Sequence, residues 1–284
     1  MYMFQSFLYV CATALLGAAL WIWGKFSLIY LGWIDVTFWR IVFTFLFTFP
    51  LFRLYLKKAD LKHVSFWCIG LLSILNIGLY IYGIQFTTAG MGQLMYLSIP
   101  FITIFLNYIF LHIRVTKYQL LWIGIGTVGI ILLLLKKITF TEWVTLYWNL
   151  IILLAASMHA GYIVLSKQYA HVFWPWTRVS AFSLTSMFFI VWSPFIPEVA
   201  ISLPVWIWLL SVVFLWACSL WLHMMTQMTT QKYWSLISSS VLYVQPFLWL
   251  LLAYVILWEK ISFIGFCWWL LALIGAYIVS LQKN

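Results

Sequence analysis

Acidic side chains are scarce in this chain: Asp35, Asp60, Glu142, Glu198 and Glu259 are the whole set in 284 residues. A hard metal ion needs a cage of oxygen ligands, so no metal site is expected. A membrane enzyme acting on lipid would need His, Asp or Glu clustered at one interface, and the loops hold no such cluster. The four cysteines, Cys11, Cys68, Cys218 and Cys267, have neither paired nor CxxC spacing, which argues against a disulfide framework and for buried thiols. Charged residues make up 7% of the chain and hydrophobic ones 66%, against roughly 25% and 45–50% in soluble domains. No soluble fold hides that much apolar surface.

What remains is apolar and aromatic. Windows of about 20 apolar residues, enough to cross a hydrocarbon core of about 30 Å, place spans near 4–24, 34–56, 64–86, 89–111, 118–135, 144–166, 173–195, 205–227, 234–257 and 261–281. The first is expected to be retained: Met1 to Gln5 carry no basic residue, and Ala12-Thr13-Ala14 lies inside the apolar run instead of after it. With the N-terminus cytoplasmic, the cytoplasmic side holds Arg53, Lys57, Lys58, Lys62, Arg114, Lys117, Lys167, Arg178, Lys232 and Lys283, and the far side Lys25, Lys136, Lys137 and Lys260. That split predicts cytoplasmic N- and C-termini by the positive-inside rule. The net charge of +10 is then a matter of topology, and its dispersal over loops argues against a nucleic-acid partner.

A proline-anchored segment occurs twice. Pro100 to Lys117 reads PFITIFLNYIFLHIRVTK and Pro246 to Phe263 reads PFLWLLLAYVILWEKISF, an offset of 146 residues that also pairs Tyr108 with Tyr254, Trp122 with Trp268 and Gly129 with Gly275. Gln85-Phe-Thr87-Thr88 recurs as Gln227-Met-Thr229-Thr230, and Lys25 resembles Lys167, at an offset of 142. Two repeats are expected, residues 1–137 and 138–284. Five spans is an odd number, so the second copy enters the membrane inverted. Inverted repeats meet about a pseudo-two-fold axis in the membrane plane, where secondary transporters place their substrate.

The pattern of a proline in the fourth and ninth spans, followed by Leu-x-Glu-Arg/Lys-hydrophobic-Ser/Thr and a glycine-containing helix, resembles the EamA type of the drug/metabolite transporter superfamily. Leu257-Trp258-Glu259-Lys260-Ile261-Ser262 fits that signature, whereas Leu111-His112-Ile113-Arg114-Val115-Thr116 carries Ile113 in place of the acid. Trp23-Gly24 with Asp35-Val-Thr-Phe-Trp-Arg40, and Asn76-Ile-Gly-Leu-Tyr80-Ile-Tyr82, bear a weaker likeness to the branch associated with chloramphenicol sensitivity. The resemblance implies a carrier of amino acids or other metabolites, S-adenosylmethionine among them. It also implies a central cavity lined by spans 1, 3, 4, 6, 8 and 9.

Several residues are candidates for that cavity. Asn76 and Tyr80 in the third span, Tyr96 and Pro100 in the fourth, and Ser239 and Tyr243 in the ninth recur at helical spacing, so each set shares a face. The sixth span adds His159 and Tyr162, the eighth His223 and Gln227, and the first Trp23. Taken singly, such polar residues serve as interhelical glue more often than as ligands, and a histidine is more often neutral and hydrogen-bonded than titrating. Pro100 and Pro246 remove backbone donors and mark kinks or hinges. Glu259 is either a structural cap paired with Lys260 or a coupling acid. Gly124-Ile-Gly126-Thr-Val-Gly129 matches a nucleotide-loop pattern but follows no strand, so a close-packing helix face explains it better. The 20 Trp residues divide between interfacial anchors, such as Trp33, Trp174 and Trp176, and rings where a cavity wall is expected. Aromatic walls suit flat or cationic organic ligands.

The expectation is therefore an all-α membrane protein with ten transmembrane helices in two inverted five-helix repeats, in the cell inner membrane, a monomer or homodimer without catalytic residue or cofactor. It would move a small organic metabolite by alternating access. An amino acid or derivative leads, with an S-adenosylmethionine-type cation or a drug or toxic metabolite as alternatives. A polytopic membrane enzyme or a scaffold is the reading from another class.

Overall fold

The computed structural model describes residues 2–29, 31–87, 92, 95–96, 98–113, 116–117, 121, 143–192, 205–232, 252 and 254–256. All regular structure among them is helical: α1 Tyr2–Ser27, α2 Trp33–Tyr55, a 3-10 turn Asp60–Lys62, α3 Val64–Ile84, α4 Ile99–Leu111, α5 Trp143–Gln168, α6 Pro175–Trp192 and α7 Val205–Lys232. Among the described residues, Trp33–Pro50, Val64–Ile84 and Leu146–Gln168 are long and apolar enough to cross a membrane. The boundaries fall where the sequence changes character. α2 ends just before Lys57 and Lys58, whose connection is folded back by the Lys57 N–H donating to the Asp60 carboxylate at 2.9 Å. α6 begins at Pro175, where a missing N–H costs nothing because the first turn has no intrahelical acceptor for it.

The fourth span departs from the expectation of one helix over 89–111. Ser98 sits in a turn, its hydroxyl donating to the Met95 carbonyl at 2.6 Å, and the continuous helix starts at Ile99. Pro100 thus occupies the first helical turn, where proline is at home. The far end of α4 closes on His112, whose N–H returns to the Asn107 carbonyl from a left-handed φ of 52°. The fifth and tenth spans, most of the ninth, and the Gly124–Gly129 run lie outside the described residues.

Several hydroxyl groups inside these helices donate back to their own helix, as a low-dielectric setting favours. Thr37 donates to Trp33 O, Thr44 to Arg40 O, Ser180 to Trp176 O and Thr185 to Ala181 O, at 2.7–2.9 Å. Thr48 also crosses from α2 to α6, reaching the Ser183 hydroxyl at 2.7 Å.

α3 is the hub. It packs along α5 and α6, while α1 packs along α7, α2 along α6 and α7, and α4 along α5. Glycine permits two of these approaches. A Cβ on Gly70 would run into the Ala181 carbonyl and the Thr185 hydroxyl of α6, and one on Gly83 would lie 2.6 Å from Ile152 Cγ1 of α5. The contacts also fix direction. Lys25 at the end of α1 donates to the carbonyls of Ile84 (2.7 Å) and Thr87 (2.8 Å) beyond α3, and Thr87 donates to Asn149 near the start of α5 at 3.0 Å. α1 and α3 therefore run parallel, and α5 antiparallel to both. At the opposite end Thr177 of α6 donates to the last carbonyl of α2, that of Tyr55, at 3.1 Å, and Trp176 stacks on the Tyr55 ring at 5.9 Å.

Candidate functional site

Three polar groups meet in the interior where α3, α5 and α7 face one another. Asn76 of α3 accepts the Tyr96 hydroxyl proton on its carboxamide oxygen, and its Nδ2 donates to His159 Nδ1 of α5 at 3.2 Å. One turn earlier on α3, Ser73 meets His223 Nε2 of α7 at 2.9 Å. His223 Nδ1 lies 3.0 Å from the Ser219 carbonyl. A carbonyl only accepts, so Nδ1 carries the proton, and in the neutral ring Nε2 accepts from Ser73. The third group joins Gln227 of α7 to α5: its Nε2 donates to the Tyr162 hydroxyl and, at 3.2 Å, to Ser166.

Rings connect the three. The centroid steps are 4.5 Å from Tyr80 to Tyr96, 6.3 Å to His159, 5.8 Å to Tyr162 and 6.1 Å to His223. Phe182 of α6 ends the strip by stacking on His223 at 4.4 Å. All but His159 are buried; His159 is partly exposed. The Gln227 carboxamide oxygen is buried without a hydrogen-bond partner among the described residues, an acceptor held in reserve. A ligand here would find π faces in a row, with amide, hydroxyl and imidazole groups at intervals along them.

The structure thus brings together Asn76, Tyr80, Tyr96, His159, Tyr162, His223 and Gln227. Trp23 stands apart: its ring meets Phe26 and Phe214 of the α1–α7 seam at 5.3 and 5.0 Å. Ser239, Tyr243, Pro246 and Glu259 lie outside the described residues. Two residues that sequence reasoning did not assign to the site are buried arginines. Arg40 is 2% exposed in α2 and donates from Nε to the Ser219 hydroxyl at 3.0 Å. Arg178 was counted among the cytoplasmic-side cations, without a role in the interior. It sits fully buried in the first turn of α6 and donates to the carbonyls of Ser166 (2.7 Å) and Gln227 (3.2 Å), which welds α5, α6 and α7. An arginine inside an apolar run was the available signal for Arg40. Arg178 lies near the start of the expected span 173–195, where a cation is read as part of the topology signal.

The apolar helices, three of them long enough to cross a membrane among the described residues, point to a multi-pass membrane protein. Residues 5–135, somewhat less than half of the chain, match the EamA-like transporter family. No curated protein matches the chain. A solved crystal structure is similar in fold, at 15% identity, with a TM-score of 0.63 over 95% of this chain and 96% of that one.

Proposed function

We propose that this protein is a secondary transporter that moves small organic metabolites across the cytoplasmic membrane by alternating access between two inverted five-helix repeats. The observation that carries the reading is the convergence of Asn76, His159, His223 and Gln227 from α3, α5 and α7 on one ring strip. Polar residues placed only as glue have no need to share a surface. The packing also supports an inverted duplication. It is unchanged when α1, α2 and α3 are exchanged for α5, α6 and α7: α3 with α5 becomes α7 with α1, α3 with α6 becomes α7 with α2, and α2 with α6 maps on itself. α1 and its counterpart α5 run in opposite directions, as an inverted pair must.

Amino acids or their derivatives are the leading substrates, because the strip combines π faces with hydrogen-bonding groups able to fix a small zwitterion. An S-adenosylmethionine-type carrier is the second reading, favoured by the length of the strip, which suits a flat purine by stacking. The test is flux in liposomes of purified protein across a panel of amino acids, nucleosides, S-adenosylmethionine and aromatic drugs. Saturable uptake or exchange of one class is expected. Absence of saturable flux for all of them removes the transporter reading.

A further inference from the structure

We propose that the groove between α3 and α6 on the outer face of the bundle holds an acyl chain of an anionic phospholipid, with its headgroup on the lysines of the α2–α3 connection. This requires only that the bundle sits in a membrane, and it stands apart from the transporter reading. The groove has a volume of about 570 Å³; Val64, Trp67, Leu71 and Ile74 of α3 wall one side, and Phe188 and Phe189 of α6 the other. The α3 positions recur at intervals of three and four, so they share one face. Val64, Leu71 and Phe188 are all exposed, which opens the groove outward. Its origin lies in the helix crossing beside it: α3 meets α6 at Gly70, where no side chain extends to fill the space next to the contact.

The wall has little to offer a polar metabolite. The Trp67 indole N–H is taken by the Leu61 carbonyl at 2.9 Å, and the hydroxyl of Thr185, also in the wall, by the Ala181 carbonyl at 2.8 Å. A hydrocarbon chain is the occupant that such a surface favours. From Val64 to Ile74 the wall runs about 15 Å along α3 at about 1.5 Å per residue, half of a hydrocarbon core of about 30 Å. The groove therefore matches one leaflet.

Charge at its mouth selects the headgroup. Val64 is the first residue of α3, and the connection before it exposes Lys57, Lys58 and Lys62. Asp60 is the one acid there, and its carboxylate accepts the Lys57 backbone N–H. A phosphodiester with no amine of its own is attracted by this excess of lysine, whereas a zwitterionic headgroup brings an opposing cation. A second copy of the chain fits less well. A two-fold axis along the membrane normal would set two lysine loops side by side, like charge against like.

The test titrates the purified full-length protein with phosphatidylglycerol and with phosphatidylcholine of identical chains, and native mass spectrometry reads the first bound lipid and the oligomeric state together. Phosphatidylglycerol is expected to bind about tenfold or more tightly than phosphatidylcholine, since each lysine near a membrane surface contributes about fivefold. Lys58→Gln with Lys62→Gln should bring the two lipids to about equal affinity, and Lys117→Gln, an exposed lysine after α4, should leave the preference intact. Cys68→Trp, which fills the groove from its α3 wall, should weaken both lipids by about tenfold or more while the lysines remain. The proposal falls if the two lipids bind alike to the unaltered protein, if the double lysine variant keeps the preference, or if Cys68→Trp binds lipid as before. It also falls if Cys68→Trp dissolves a dimer with the lipid count unchanged, because the groove then belongs to a second copy. Should Cys68→Trp not fold, the headgroup comparison on the unaltered protein and on the double lysine variant, altered only in an exposed loop, still decides.

Discussion

Tyr96 shows how much one hydroxyl carries in this interior. Its O–H donates to Asn76, whose amide nitrogen holds His159, so removing the hydroxyl leaves a buried carboxamide oxygen unsatisfied and loosens the amide that orients the imidazole. Loss of one such buried bond costs about 1–3 kcal/mol. Tyr96→Phe is expected to keep the ring contacts with Tyr80 and His159, lower apparent substrate affinity by about tenfold, and reduce thermal stability. Unchanged transport kinetics in that variant would remove Tyr96 and Asn76 from the site. These residues were legible because a polar side chain in an apolar span stands out and because Asn76 and Tyr80 share a face. Arg178 was harder to read, since positive charge near a span end is first assigned to topology, whereas Arg40 stood inside an apolar run and was left without a role. Trp23 meets Phe26 and Phe214 instead of the ring strip, and an indole looks the same in a sequence whether it walls a cavity or fills a seam between helices.

Helix positions in this chain follow from apolar runs, and α1, α2, α3, α5, α6 and α7 begin and end within a few residues of where those runs do. The break before α4 was signalled only by Pro100, which has no N–H for the Tyr96 carbonyl; the turn at Ser98, closed by its hydroxyl on the Met95 carbonyl, has no mark of its own in the sequence. The end of α4 stores a small strain that can be removed. His112 is the only non-glycine residue with positive φ among those described, a geometry that costs a side-chain-bearing residue about 1–2 kcal/mol. His112→Gly should raise the unfolding midpoint by about 2 °C or more; a lower midpoint would show that the imidazole contributes more than the strain costs. Helix crossings give a paired prediction. Gly70→Ala presses a methyl group into α6 and should lower folded yield sharply, whereas Gly78, with nothing within 4 Å, should accept alanine with a change of about 0.5–1 kcal/mol in favour of the fold. Equal yields of the two variants would mean that α3 and α6 separate at no cost.

At the scale of the whole molecule, hydrogen bonds between α1–α4 and α5–α7 tie the bundle at both ends. Thr87, beyond α3, donates to Asn149 of α5 at one end, and Thr177 of α6 donates to the Tyr55 carbonyl of α2 at the other. In a transporter that rocks one repeat against the other, each tie must loosen when its own end opens, so the two should bias the conformational equilibrium in opposite directions. A neutral hydrogen bond contributes about 0.5–1.5 kcal/mol, and a bias of about 1.4 kcal/mol changes a two-state ratio tenfold. The readout is a single cysteine placed at Ser73 in a cysteine-free background and labelled from either side of the membrane with an impermeant reagent. Thr87→Val is expected to raise labelling from the side where α1 ends, and Thr177→Val from the side where α2 ends. An increase on the same side for both would mean that the ties act on packing alone and that the ends do not alternate.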